Sequence, residues 1–265
     1  MTQPVLFIPH GGGPCFFLNE NGPTDPMWQP MERYLAGLIA SLSERPRAIL
    51  LISGHWEEPD FTVHTGARPD LLFDYHGFPE HTYRLRWDAP GAPDVARRAA
   101  ALLEAAGFAV TEEQARGWDH GVFIPMKVAL PDADIPLAQL SLRADLDAAA
   151  HIAAGRALAP LRDEGVLIIG SGMSFHNMRV RGPAATEGAD IFDEALTEAV
   201  TDSDPAARAA RVADWANLPQ ARFAHPREEH LLPLMVALGA GGDGGATRDF
   251  TDHVLGWKVS AYRFG

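Results

Sequence analysis

Apolar residues fall into two patterns along the chain. Four compact, largely apolar runs at 5–8, 48–52, 135–142 and 166–169 have the length and composition of parallel strands buried on both faces. Between them the apolar positions switch to helical spacing. Met31, Tyr34, Leu35, Leu38, Ile39 and Leu42 share one helical face, and the alanine-rich stretch 94–106 reads as a helix closed by Gly107. Stretches 147–161 and 190–200 repeat the theme, the second with Ile191, Phe192, Ala195 and Leu196 as its apolar stripe. A further short helix starts at Pro205 with Asp204 as its cap. Leu231, Leu234, Met235 and Leu238 mark an amphipathic helix with Pro233 in its first turn and Gly239 at its end. The glycine-rich segment 239–246 reads as a surface loop before a final strand, 254–264, whose alternation suits a sheet edge. Strands alternating with helices predict an α/β fold. It is expected to be a single domain over 1–265, with a mostly parallel central sheet flanked by helices on both faces.

Composition agrees with a folded core: 46% of residues are hydrophobic and 22% charged, which leaves no case for disorder. With 22 basic against 35 acidic side chains the formal charge is −13, so nucleic acid is not an expected partner. The lone cysteine, Cys15, cannot form an internal disulfide; it reads as a buried core residue and predicts a reducing, cytoplasmic setting. No secretory signal is visible, and the apolar run 231–240 is too short to span a bilayer, so no membrane association is expected. Eleven histidines against one cysteine make any metal site imidazole-based and exclude a cysteine-cluster zinc module.

Ligands of open α/β sheets bind beyond the carboxyl ends of the strands, so histidines placed there carry weight. His10 follows the first run and opens His10-Gly11-Gly12-Gly13-Pro14. His55 follows the second within Ser53-Gly54-His55-Trp56-Glu57, and His176 lies past the fourth, after Gly170-Ser171-Gly172-Met173-Ser174-Phe175. Each has glycine at the expected turn, which lets imidazoles converge without crowding the backbone. His120 sits in Gly117-Trp118-Asp119-His120-Gly121, and His230 ends Arg227-Glu228-Glu229-His230. A lone histidine is more often a surface or hydrogen-bonded core residue than a ligand. Five in this context point instead to one shared pocket. His64, His81, His151, His225 and His253 lack it and read as surface or structural, while His76 stays open. No G-x-S-x-G elbow is present, and the glycines at 11–13 fit neither G-x-G-x-x-G nor a P-loop.

The ordered set of these segments, with Tyr75-His76-Gly77-Phe78-Pro79, Asp119-His120-Gly121-Val122-Phe123-Ile124-Pro125, Ser174-Phe175-His176-Asn177 and Glu229-His230-Leu231-Leu232-Pro233-Leu234, resembles the DOPA extradiol dioxygenases. These are class III ring-cleaving enzymes related to the catalytic subunit of protocatechuate 4,5-dioxygenase. The resemblance runs in order from residue 5 to Tyr262-Arg263-Phe264-Gly265. It implies one divalent metal, iron(II) in the active enzyme with zinc able to occupy the site, and a small catechol such as DOPA or a related catecholic acid opened by O2 beside its hydroxyls. It also implies His10, His55 and His230 as metal ligands, and His176 as a further ligand or the acid/base. His120 would either support the metal site from behind the ligands or contact substrate or bound oxygen. Better-known class III enzymes complete a two-histidine, one-carboxylate face, so Glu229 competes with His230 for the third ligand position. Asp119 either orients the His120 ring or caps a turn. Phe78 and Trp118 are expected substrate walls, with core packing as the competing reading. Two further readings compete: a zinc hydrolase using the same imidazoles on water, and a metal-binding signalling or scaffold protein without the reaction. An anionic substrate would need positive charge from the metal and nearby arginines, because the overall charge repels it.

Overall fold

The computed structural model describes residues 2–265. Its eight strands are β1 (Val5–Pro9), β2 (Ala48–Glu58), β3 (Phe61–His64), β4 (Val110–Glu113), β5 (Leu137–Arg143), β6 (Val166–Gly172), β7 (Ala246–Val254) and β8 (Trp257–Phe264). They form one sheet in the order β4-β3-β5-β2-β6-β1-β8-β7. The four runs expected as buried strands become its centre, and the pairings β5-β2, β2-β6 and β6-β1 are all parallel. Every residue of β1 and β6 is buried, as both-face coverage by helices requires. The sheet is mixed at its flanks, where β8 runs antiparallel to β1 and β3 antiparallel to β5.

Around the sheet lie α1 (Gln29–Ala36), α2 (Pro93–Ala105), α3 (His120–Ala129), α4 (Ala148–Leu158), α5 (Pro160–Asp163), α6 (Pro183–Val200), α7 (Pro205–Ala213), α8 (Ala221–Ala224) and α9 (Leu232–Gly241). Local caps form as their chemistry dictates. Asp147 accepts from the Ala150 N–H at the start of α4, and Asp204 accepts from Ala206 and Ala207 at the start of α7. None of these helices is long and apolar enough to cross a membrane.

Several local expectations are corrected. The expected helical face from Met31 to Leu42 breaks after α1, with a short 3-10 turn at Ile39–Ser41. Ile191 points outward at 41% exposure, and Asp193 takes the inward place on α6. The final strand is instead a hairpin: β8 is internal, β7 is the edge, and they are joined by the two residues Leu255 and Gly256. The helix read as amphipathic, α9, is buried all round because α4 packs over it while the sheet lies beneath. Gly239 therefore lies inside α9 rather than ending it. A Cβ there would meet the Ile152 carbonyl at 2.1 Å, and one on Gly155 would meet the Val236 carbonyl at 2.2 Å, so the two helix backbones touch.

Candidate active site

The carboxyl ends of β1, β2 and β6 lie side by side, and this is where the imidazoles gather. β1 ends at Pro9, and the following turn uses left-handed glycines at Gly11 (φ 82°) and Gly13 (φ 52°), placing His10 just beyond the sheet. The segment around His55 is not a turn. β2 continues to Glu58, and its register against β5 shifts between Ile52 and Glu57. Such a bulge re-aims the side chains it carries. Nor is Gly170-Ser171-Gly172 a turn: these residues are the end of β6, and their small size makes room for the chain leading into α9. A Cβ on Gly172 would stand 2.1 Å from the His230 carbonyl, and one on Gly170 2.3 Å from that of Pro233. The Met173 N–H donates to the same His230 carbonyl at 2.9 Å, which pins His230 over the strand ends.

His10, His55 and His230 thereby bring one ring nitrogen each within 4.8 Å of the others. The Nε2 of His55 is 3.2 Å from that of His10 and 3.2 Å from that of His230. Ligand nitrogens at tetrahedral angles around one zinc-sized ion stand about 3.3 Å apart, so the spacing fits a shared cation. The outward nitrogens fix the tautomers. Ser171 Oγ donates to the Gly121 carbonyl, so at His10 Nδ1, 3.2 Å away, it must accept. His230 Nδ1 donates to Glu229 Oε1 at 3.0 Å. Both rings consequently aim an unprotonated Nε2 inward toward His55 Nε2, an arrangement of lone pairs suited to a shared cation. Burial, reinforced by the neighbouring imidazoles, holds His10 and His230 well below the usual 6.5. Burial, with His120 beside it, brings His55 to about 4. All three are neutral donors at pH 7.

Glu229 Oε1 accepts from His230 Nδ1, and Glu229, His230 and His176 form a second group whose possible ligand atoms lie within 4.8 Å of one another. His176 lies outside the group formed by His10, His55 and His230. Its ring stacks on that of His230 with centroids 3.4 Å apart, and its Nδ1 lies 3.3 Å from Glu229 Oε1. Burial would raise the Glu229 carboxyl, but the His176 hydrogen bond, a backbone hydrogen bond and the charges of His176 and Arg227 together outweigh it and hold the group below its ordinary value.

His120 begins α3, and its ring centroid is 3.9 Å from that of His55. Its orienting partner is Asp74, a residue that carries no motif signal of its own: Oδ1 accepts from His120 Nδ1 at 2.8 Å and from its backbone N–H at 3.0 Å. The other oxygen lies 3.8 Å from His55 Nδ1. Burial works against the charged form of Asp74, yet the hydrogen bonds from His120 together with the charges of His120 and His55 outweigh it and lower its pKa. Asp119 takes neither of its expected roles. Fully buried, it accepts from Ser53 Oγ and Gln139 Nε2, both at 2.6 Å, and from Arg116 at 3.2 Å. Ser53 in turn accepts the His55 N–H and Arg116 donates to the His55 carbonyl, so Asp119 anchors the bulged strand.

His55, His120, His176 and His230 open into a cavity of about 470 Å³. Phe78 lines it, with Trp28, Tyr75, Phe175 and Trp257. Trp118 does not: it is fully buried with its ring 5.0 Å from that of His64. Cys15 is buried, and that burial pushes its thiol pKa up, leaving it neutral. The histidines read as surface or structural bond elsewhere, among them His64 to the Arg116 carbonyl, His151 to that of Asp147 and His225 to that of Ser174. His76 is exposed and outside the cluster.

Residues 4–261 match the family described as the catalytic LigB subunit of aromatic ring-opening dioxygenase. The chain is 39% identical to dioxygenase tasH of Hapsidospora irregularis, over 99% of this chain and 85% of that protein. It is 36% identical to the 4,5-DOPA dioxygenase extradiol of Beta vulgaris, over 90% of this chain and 87% of that one. The crystal structure of an uncharacterized protein from Escherichia coli K12 superposes with a TM-score of 0.77 at 28% identity, covering 99% of this chain and all of the other.

Proposed function

The chain belongs to the LigB family of aromatic ring-opening dioxygenases, and from that premise we propose that it is a metal-dependent extradiol dioxygenase that opens a small catechol with O2. Its one catalytic domain spans 1–265. The observation that carries the metal is the convergence of three neutral Nε2 atoms, with two of the rings held from behind by Ser171 and Glu229. His10, His55 and His230 would hold one divalent ion, iron(II) in the working enzyme, with zinc able to take the same nitrogens. Once bound, such an ion lowers the pKa of a coordinated hydroxyl, and iron(II) adds the redox chemistry that O2 incorporation demands.

The protein's own groups supply the proton handling. His176 keeps Nδ1 on Glu229, which leaves Nε2 to take a proton from a substrate hydroxyl. His120 gives its Nδ1–H to Asp74, so the neutral ring presents an acceptor at Nε2 and becomes a donor there only after gaining a proton. Phe78 provides an apolar wall against which the aromatic ring can lie. DOPA, which the names of several relatives specify, belongs to the catechol class expected here.

Stripping the protein with a chelator, reloading it anaerobically with iron(II) and then adding O2 with a catechol panel tests this reading. Stoichiometric oxygen uptake and a yellow ring-opened product are expected. Silence across the panel, or oxygen-independent turnover with zinc, would overturn it.

A further inference from the structure

No lysine, arginine, aspartate or glutamate is present among the described residues lining the cavity, and its only ionisable groups besides imidazoles are Tyr75 and Cys15. The Tyr75 hydroxyl is already committed to the Thr82 carbonyl at 2.7 Å. Asp74 and Glu229 lie behind the imidazoles that they orient. Of the three large apolar side chains exposed on the described surface, two belong to this cavity: Met178 at 52% and Met27 at 37%. Arg181, close in sequence to Met178, stands over the Trp257 ring at 4.3 Å and donates to the Met178 and Val180 carbonyls. Arg179 is exposed and outside the lining.

The third rim element is the β7-β8 turn. Leu255 and Gly256 both have positive φ, 56° and 83°. Two-residue turns of this kind favour Asn-Gly, and a leucine in the left-handed region is strained. Here the strained leucine lines the cavity next to Val254 and Trp257. Strain retained at a binding site is a recurrent mark of function.

On the ring-cleavage reading above, we infer that the preferred substrate is an uncharged catechol bearing an apolar alkyl or aryl substituent, received by the Met27, Met178 and Leu255 rim, and not a catecholic amino acid or carboxylate. A carboxylate or zwitterion entering these walls would give up water for no partner, whereas an alkyl chain gains by leaving water. Methionines suit such a rim because they adapt to substituents of different shape.

Anaerobic titration of the iron(II)-loaded enzyme, followed by quenching of Trp28 and Trp257 fluorescence, compares propylcatechol, dihydrocaffeate and DOPA. Propylcatechol should bind at least about tenfold more tightly than either charged compound. The same order is expected in kcat/KM from oxygen uptake. Equal or tighter binding of DOPA or dihydrocaffeate overturns the inference and leaves the reaction class standing. Selective binding of propylcatechol with no oxygen uptake from any catechol sustains the substrate class and overturns the reaction. Met178→Arg should improve dihydrocaffeate relative to propylcatechol by up to about fivefold, the scale of one new solvent-exposed ion pair. Leu255→Asn should preserve or raise the melting temperature while narrowing the preference for propylcatechol. A preference unmoved by both substitutions would count against the rim as its source.

Discussion

At the floor of the cavity, His10, His55 and His230 sit on or against parallel strands, each ring fixed by backbone position, with oxygen partners behind two of them. At the rim, Met27, Met178 and Leu255 come from loops and a hairpin turn, with no polar contacts holding their side chains. On the proposed reading the floor would hold a cation and a chelating pair of hydroxyls, and the rim would select whatever those hydroxyls are attached to. Reaction and substrate preference would then rest on separate parts of the chain, so that each could be perturbed without the other.

Replacement of His55 by alanine is the sharpest break of the floor. Metal analysis after dialysis and oxygen uptake should both fall by more than the roughly 10- to 100-fold that losing a supporting partner costs. A variant that retains stoichiometric metal would remove His55 from the ligand set. Next in size is an acid response at His225, a fully buried ring behind the site whose pKa burial lowers to about 4. Below pH 6.5 the unfolded chain takes up a proton that the folded chain refuses. Stability should then decline from pH 6.5 to about 4 and level off below, by up to roughly 3 kcal/mol from this group. Urea titrations of wild type and His225→Gln at pH 7 and pH 4.5 isolate it, and the variant should show the smaller decline.

Asp74→Asn separates orientation from ligation. Metal content should remain near that of wild type while kcat falls about 10- to 100-fold, because His120 loses its charged partner. An unchanged kcat would show that His120 needs no such support. The smallest effect is expected at Trp118→Phe. This ring lies in the core, so KM for any catechol should stay put, and the only loss should be of stability, from the small cavity the indole leaves. Phe78→Ala, at the cavity wall, should raise KM in the same assay.

Much of the floor is legible in the order of residues. The apolar runs that form β1, β2, β5 and β6 announce themselves by composition, and the histidines beyond them by position. Glycines at 170 and 172 do mark the site, but they admit the His230 backbone instead of turning the chain. Asp74 gives no local signal because an aspartate in a loop is ordinary, and only the packing of that loop against α3 makes it a histidine's partner. Strands β3 and β4 are four residues each, too short to stand out in a pattern. The β7-β8 turn is hidden because leucine is the wrong residue for it.

Residue order alone therefore settles the sheet's centre and the family and singles out the histidines that gather, since buried strands and strand-end histidines are local signals carried by consecutive residues. Which nitrogen each ring turns inward, which carboxylate stands behind which histidine, and the absence of charge from the described walls are decided only in three dimensions. These properties belong to contacts between segments as far apart as His55 and His230, or Asp74 and His120, and no window along the chain contains both partners.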